Sequence, residues 1–119
     1  MSAPALFDRV RTIALRLPEV EEGTTYGTAS LRVRGKFFSR IREDGETLVL
    51  KTDFETQDFL LQAYPDIYYI TDHYKGYPYI LVRLSAVGAD ELREQVERAW
   101  RLTAPKKLVA QYDQDRSRP

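Results

Sequence analysis

In "SLRVRGKFFSRIREDGETLVLKT", residues 30–52, apolar and polar side chains alternate in three short runs. Alternation with a period of two residues is typical of strands that bury one face. Gly35-Lys36 and Asp44-Gly45 separate the runs, and Asp-Gly between alternating runs is a strong hairpin signal. The stretch therefore predicts three strands joined by two hairpins.

The register of the first hairpin determines where its arginines point. A two-residue loop at Gly35-Lys36 would pair Arg34 with Phe37 and mix polar and apolar side chains on both faces. A three-residue loop would pair Val33 with Phe37 and separate the two kinds of side chain, which favours this register. It gathers Leu31, Val33, Phe37 and Ile41 on one face and Arg32, Phe38, Arg40 and Arg42 on the other.

The flanking sequence predicts three helices, because apolar side chains recur there at helical spacing in residues 3–17, 52–65 and 89–104. Ser2 is a suitable cap for the first helix, and Thr52 with Glu55 fits a capping box on the second. Residues 18–29 are interpreted as a polar connection, and residues 67–84 as two further strands around Asp72 to Gly76.

The resulting order, α-β-β-β-α-β-β-α, predicts the α+β fold class. We expect one domain over residues 1–119, with a mostly antiparallel sheet and helices packed on it. Its core should span residues 5–109, and the polar tail, residues 110–119, should be frayed.

The charge of the chain is balanced, with 18 basic and 18 acidic side chains. A zero balance argues against strong non-specific attraction to DNA, which depends on many basic groups. The charges are unevenly spread, however. Residues 30–51 hold six basic and three acidic side chains, whereas residues 53–72 hold five acidic ones and no basic one. A local basic patch on the hairpins is therefore expected, since patches matter more than totals for encounter.

Several classes of site are excluded by the residues that are missing. The chain has no cysteine, which rules out disulfides, thiolate metal sites and cysteine nucleophiles. It has one histidine, His73, and no glycine-rich nucleotide loop, so we expect no metal, no cofactor and no catalytic residues. No signal-peptide core and no membrane-length apolar run occur, and the expected location is the cytoplasm, with no membrane partner.

An aromatic stretch, "TDHYKGYPYI", residues 71–80, is the strongest indication of a binding surface. Tyrosine offers a flat face for stacking and a hydrogen-bonding tip. Beside Lys75 and the basic hairpin, Tyr74 and Tyr77 could stack on a base or another flat ligand, as in proteins that bind single strands. Packing of alternate tyrosines into the core is the other interpretation, because tyrosine is also a good strand former.

Four motifs together resemble the MmcQ/YjbR family: "LPEVEEGTTYG", "RVRGKFFSRI", "TDHYKGYPYILVRL" and "AWRLTAPKKL". The resemblance covers residues 5–109. It implies an α+β fold akin to that of type III secretion chaperones, and the family's DNA-binding label, which rests on a double-wing comparison of folds. It implies no catalytic residues.

The predicted function is a non-enzymatic binding domain of this type, with DNA as its partner through the basic hairpin. Phosphates would be held by Arg32, Arg34, Lys36, Arg40 and Arg42, and Tyr74, Lys75 and Tyr77 would add stacking or a second basic contact. Two alternatives stay open. One is a chaperone-like module with a protein partner or a homodimer, and the other is a small-ligand pocket around Tyr26, His73 and Tyr74.

Overall fold

The computed structural model describes residues 3–117, and their side chains from residue 5 onward. Within this range the helices are α1 (Ala3–Ala14), α2 (Phe54–Ala63), α3 (Ala89–Thr103) and α4 (Lys106–Arg116). The strands are β1 (Val20–Thr25), β2 (Thr28–Val33), β3 (Lys36–Ile41), β4 (Thr47–Lys51), β5 (Tyr68–Tyr69) and β6 (Tyr79–Arg83). A single-turn 3-10 helix, Asp72–Tyr74, lies between β5 and β6. None of the helices in the described part is long and apolar enough to cross a membrane.

The strands form one six-stranded sheet in the order β1-β2-β3-β4-β6-β5, and every neighbouring pair is antiparallel. The predicted α+β class is therefore confirmed. The element order is longer than predicted by one strand, β1, and one helix, α4. Strand β1 lies at the sheet edge and exposes most of its side chains, so its sequence carries no apolar alternation.

The β2–β3 hairpin differs from the predicted register. Its two-residue turn is at Arg34-Gly35, both with positive φ (51° and 79°), so Val33 pairs with Lys36 and Arg32 with Phe37. This is the backbone of the turns that suit the right-handed twist of a hairpin. A register shift then follows opposite Leu31, which is a β-bulge in β3. The predicted pairing of Val33 with Phe37 is wrong, because the turn and the bulge together offset the strands differently.

The bulge exchanges the two phenylalanines between the faces of the sheet. Phe38 is fully buried among the core residues, together with Leu31, whereas Phe37 lies on the opposite face with Arg32. We call these the core face and the cleft face. Side chains of α1 and α3 cover the core face. Trp100 of α3 donates its Nε1 hydrogen to the carbonyl of Pro18, in the segment between α1 and β1, at 3.0 Å.

The start of α2 differs from the prediction. The N-cap of α2 is Asp53, whose Oδ1 accepts from the Thr56 N–H at 2.7 Å, so the Thr52–Glu55 capping box is wrong. Thr52 is instead buried, with no hydrogen-bond partner for its hydroxyl. The Ser2 cap predicted for α1 lies outside the described residues.

Helix α4 occupies most of the segment that was expected to be a frayed tail. It is held on α3 by both apolar and charged contacts. The Tyr112 ring meets Trp100 edge to face at 5.0 Å between centroids, and Tyr112 donates its hydroxyl hydrogen to Glu97 at 2.8 Å. Arg101 forms a two-pronged pair with Asp113, which lowers the pKa of that carboxyl. These contacts depend on α3 and are not visible in the polar sequence of α4 alone.

The core face gives a direct test of the fold. We expect Leu31→Ala, which removes a fully buried side chain beside the bulge, to lower the free energy of unfolding by about 2–5 kcal/mol. The matched control is Leu102→Ala, where the same atoms are removed from a side chain that is 44% exposed, and we expect a change of about 0.5 kcal/mol. Urea denaturation of both variants measures the difference. Equal losses at the two sites would contradict the assignment of Leu31 to the core.

Candidate functional site

The cleft face carries a concave site of about 480 Å³ near the middle of the sheet. Its walls come from the β1–β2 turn, from β2, β3, β4 and β6, and from the segment around the 3-10 helix. The lining residues are mostly aromatic or basic: Thr25, Tyr26, Arg32, Phe37, Arg40, Val49, His73, Tyr74, Tyr77 and Tyr79. The site is therefore built from both halves of the chain.

Tyr26 forms one wall because the β1–β2 turn holds it out from the sheet. Tyr26 and Gly27 are the two turn residues between paired Thr25 and Thr28, and both have positive φ (52° and 81°). This conformation is uncommon for a bulky residue and is stabilised here by the tight hairpin. Tyr26 is 80% exposed, and the Arg40 guanidinium carbon lies 5.3 Å from the centroid of its ring. The turn thus presents a flat, accessible ring beside a cation.

The opposite wall is an aromatic cluster in residues 73–79. Tyr74 contacts His73 and Tyr79 edge to face, with centroid distances of 4.9 and 6.2 Å, and Phe37 lies 6.0 Å from Tyr79. The Gln57 side-chain amide of α2 donates to the carbonyls of both Tyr77 and Tyr79, at 2.9 and 2.6 Å. Helix α2 therefore holds the backbone of this segment, while Tyr77 stays 59% exposed.

Arg40 lies at the floor of the cleft with only 7% of its surface exposed. Its Nη1 donates to the Thr28 hydroxyl at 3.2 Å, to the Ile41 carbonyl at 3.4 Å and to Glu43 at 3.4 Å, and its Nη2 donates to the Tyr74 hydroxyl at 3.2 Å. The Glu43 side chain is 65% exposed, so water screens this one long pairing with a carboxylate. A buried charge normally has close, ionic partners. Arg40 is thus a weakly compensated cation.

Arg32 adds a second cation to the same cleft. Its guanidinium donates to the Thr25 hydroxyl at 3.0 Å and to the Gly35 carbonyl at 3.3 Å, both uncharged, and lies 5.9 Å from the Phe37 centroid. Glu21 is its neighbour across the β1–β2 pair but forms no salt bridge with it among the residues described. Two guanidinium groups with mainly neutral partners therefore face one cleft.

Tyr79 is a cleft tyrosine whose acidity the surroundings change. Burial raises the pKa of Tyr79, and the neighbouring Tyr74 and Tyr26 raise it further. A neutral phenol can donate a hydrogen bond, which suits an anionic ligand. In the part of the chain that the structure describes, no group of three or more His, Cys, Asp or Glu side chains could hold a metal ion. What the cleft offers is cations, hydrogen-bond donors and flat rings.

Comparison with known proteins identifies the family. The YjbR family model matches residues 15–102 of the chain, which include every residue of the cleft. The chain belongs to the YjbR family. This confirms the resemblance inferred from the sequence motifs.

Similar proteins come from mycobacteria and from Deinococcus radiodurans. Over 69 residues this YjbR domain is 36% identical to uncharacterized proteins of Mycobacterium bovis and of two strains of Mycobacterium tuberculosis. The match covers 57% of this chain and 54% of each relative, so it spans about half the length of the proteins it matches. The crystal structure of the Deinococcus radiodurans protein DR2400, a DUF419 domain, is 24% identical, with a TM-score of 0.71 over 80% of this chain and 75% of that one. It shows the same fold.

The five basic residues proposed for phosphate binding do not form one patch. Arg32 and Arg40 line the cleft, and Arg42 lies on the same face at the next pair, where its N–H donates to the Thr47 carbonyl. Arg34 is in the β2–β3 turn and forms a two-pronged pair with Glu19 at 2.6 and 2.9 Å. Lys36 pairs with Val33 at the start of β3, so it belongs to the other face. The hairpin tip of this YjbR domain is therefore partly neutralised.

The residues predicted around the aromatic stretch lie together more closely. Tyr74 and Tyr77 line the cleft, as do Tyr26 and His73, whereas Lys75 is exposed and is not among the lining residues. The small-ligand alternative had named Tyr26, His73 and Tyr74, and the fold brings these three to one site. The sequence interpretation missed Thr25, Phe37, Val49 and Tyr79 as site residues. For Thr25, the one local indication was the Tyr26-Gly27 pair that follows it, since such a pair is typical of a hairpin turn.

The protein-interaction alternative predicts an exposed apolar sheet face or groove, or a homodimer through it. Exposed aromatic side chains do occur on and just after α2: Phe54, Phe59 and Tyr64 are 54%, 59% and 46% exposed. Phe59 and Tyr64 contact each other edge to face, with acidic Glu55 and Asp58 nearby on the helix. This surface lies apart from the lining of the cleft. The alternative stays a prediction.

The weak compensation of the Arg40 charge leads to a prediction about the stability of the fold. Its removal strands no buried carboxylate, because Glu43 is largely exposed. We therefore expect Arg40→Met to leave the free energy of unfolding within about 1 kcal/mol of the original value, or to raise it. Urea denaturation at neutral pH measures the effect.

The matched control is Arg9→Met on the opposite side of the sheet. Arg9 donates to the carbonyls of Leu84 and Val87 at 2.6 and 3.0 Å, so it fastens α1 to the loop after β6. We expect a loss of about 1–3 kcal/mol there, because two carbonyls lose their donor. A loss of more than about 3 kcal/mol in Arg40→Met would show instead that Arg40 is a structural ion-pair residue.

Proposed function

We propose that this YjbR domain is a non-enzymatic binding domain for single-stranded nucleic acid, and that the aromatic cleft is the binding site. An unpaired base would lie against the exposed tyrosines, and a phosphate would meet the two guanidinium groups. The observation that carries the proposal is Arg40, a buried cation whose one carboxylate partner, Glu43, is 3.4 Å away and largely exposed, beside the exposed Tyr26. It revises the predicted role of the hairpin, since the cleft replaces the hairpin tip as the site.

Stacking is supported by the exposure of the rings. Tyr26 and Tyr77 are 80% and 59% exposed, although large aromatic side chains normally bury most of their surface. Both line the same cleft, so a flat ligand that enters it meets accessible aromatic rings. Base stacking on an aromatic side chain contributes about 1–3 kcal/mol per base and does not depend strongly on sequence. The site is therefore suited to an unpaired base of any kind.

A single strand fits this site better than a duplex does. In a duplex the bases are already stacked and paired, so tyrosine rings could reach them only after unstacking at a cost of a few kcal/mol. Duplex binding without such insertion relies on many surface cations. Here the chain is neutral overall, Arg34 is paired with Glu19, and Arg40 lies below the surface. The cations face a ligand that enters the cleft.

The stacking role predicts the effect of removing one ring at a time. We expect Tyr26→Ala and Tyr77→Ala each to weaken binding of a short oligothymidylate by about 5- to 150-fold, which is the stacking contribution of about 1–3 kcal/mol. Tyr64→Ala is the matched control, because Tyr64 is 46% exposed but lies outside the cleft. Fluorescence anisotropy at low salt measures the affinities. The proposal fails if the unaltered protein binds no oligonucleotide, or if Tyr64→Ala weakens binding as much as the cleft variants do.

The electrostatic role predicts a change in salt dependence. We expect Arg40→Met to reduce the slope of log affinity against log salt concentration by about one, since one phosphate contact is lost. Arg34→Ala serves as the control, because its guanidinium is already engaged with Glu19 at the hairpin tip. The slope should be nearly unchanged in this variant. If Arg34→Ala flattened the slope and Arg40→Met did not, the phosphate would bind at the hairpin tip and not in the cleft.

A further inference from the structure

Two kinds of phosphate occur in nucleic acids, and they differ in charge and in the room they need. A phosphate inside a strand is a diester with one negative charge and with the chain continuing on both sides. A phosphate at the end of a strand, or on a free nucleotide, is a monoester that carries close to two charges at neutral pH. We propose that the cleft binds a phosphate monoester, with Arg40 and Arg32 as its two cationic partners. This inference rests on the proposed role of the cleft as the site that receives a base and a phosphate of nucleic acid.

The charge of the site matches a monoester. Arg40 and Arg32 both line the cleft, and their hydrogen-bond partners are neutral apart from Glu43, at 3.4 Å from Arg40. Glu43 is 65% exposed and contributes little neutralisation. Two cations facing one small volume repel each other, which is unfavourable until an anion joins them. A dianion compensates both groups, whereas a diester leaves one charge unmatched.

The depth of Arg40 favours a terminal group. Its side chain is 9% exposed and lies beneath the Tyr26 ring, so an anion reaches it only by entering the cleft. A diester must leave room for the chain on two sides, while a monoester approaches end-on with its three free oxygens forward. The volume of about 480 Å³ is also within the range of about 300–1,000 Å³ that is typical of sites for small molecules. A nucleotide with its terminal phosphate inward fits both features.

The Tyr74 hydroxyl supplies a further donor at the same point. Its oxygen accepts from Arg40 Nη2 at 3.2 Å, so its own hydrogen remains available for an oxygen of the ligand. Hydrogen bonds that involve a charged group are about twice as strong as neutral ones, and chains of such bonds reinforce each other. Guanidinium, phenol and phosphate can therefore form one continuous network. A neutral ligand would leave this network without its acceptor.

The test compares ligands that differ only in their ends. Three oligothymidylates of equal length carry a 5′-phosphate, a 3′-phosphate or hydroxyls at both ends, and thymidine 5′-monophosphate is set against thymidine. We expect the oligonucleotide with a 5′-phosphate, or the one with a 3′-phosphate, to bind at least about tenfold more tightly than the one with hydroxyls at both ends. The reason is the added charge-assisted hydrogen bonds. We expect thymidine 5′-monophosphate to bind more tightly than thymidine for the same reason. The ligand comparison uses the unaltered protein, so it does not depend on any variant folding.

Two variants then assign the preference to the cleft. Arg40→Met should abolish the difference between phosphorylated and unphosphorylated ligands, and Arg34→Ala should preserve it. Equal affinity of the unaltered protein for all three oligonucleotides, together with salt-sensitive binding, would overturn the monoester inference and leave single-strand binding intact. Binding of the mononucleotide without any oligonucleotide would support the monoester inference and overturn single-strand binding. Binding of none of these ligands would overturn both.

Discussion

The bulge in β3 is the constraint on which the candidate site depends. Opposite Leu31, two consecutive residues of β3, Phe38 and Ser39, lie toward the core face, and the flanking Phe37 and Arg40 therefore return to the cleft face. Without the bulge, the pairing of β3 with β2 would be offset by one residue. Every residue of β3 after that point would then face the opposite side of the sheet. The burial of Phe38 fixes this offset, because exposing a phenylalanine of this size would cost about 1.5–3 kcal/mol. Packing on one face thus sets the chemistry of the other.

Arg40 shows why the same position is unfavourable for stability and useful for binding. A guanidinium that is taken out of water and given mostly neutral partners carries a desolvation cost which its hydrogen bonds offset only in part. The surrounding sheet is rigid enough to hold it there, since Val49 and Leu81 beside it are almost fully buried. Such a group gains more from an anion than an exposed arginine would, because it has little hydration left to lose. Strain of this kind concentrates at functional sites.

The sequence predicted the kinds of elements better than their registers. The Asp44-Gly45 hairpin is present, with Asp44 accepting from the Glu46 and Thr47 N–H groups and Gly45 at positive φ, because this turn is a local matter of a few residues. Strand β1 was missed since its pairing with β2 uses backbone groups and leaves no apolar pattern. Helix α4 was missed since its stability comes from contacts with α3. These are long-range effects that a local pattern does not contain.

The candidate site was predicted in parts, for the same reason. Arg32 and Arg40 were expected on one face and lie there. Side chains alternate between the two faces along β2, and in β3 the alternation resumes after the bulge at Phe38. The approach of the Tyr74 segment to Arg40 across 34 positions could not be derived from spacing, since it depends on β6 inserting between β4 and β5. This topology also explains how a neutral chain can present a cationic site. Two guanidinium groups enclosed by aromatic rings act at short range on a ligand within the cleft, where the balance of charge over the remaining surface has little influence.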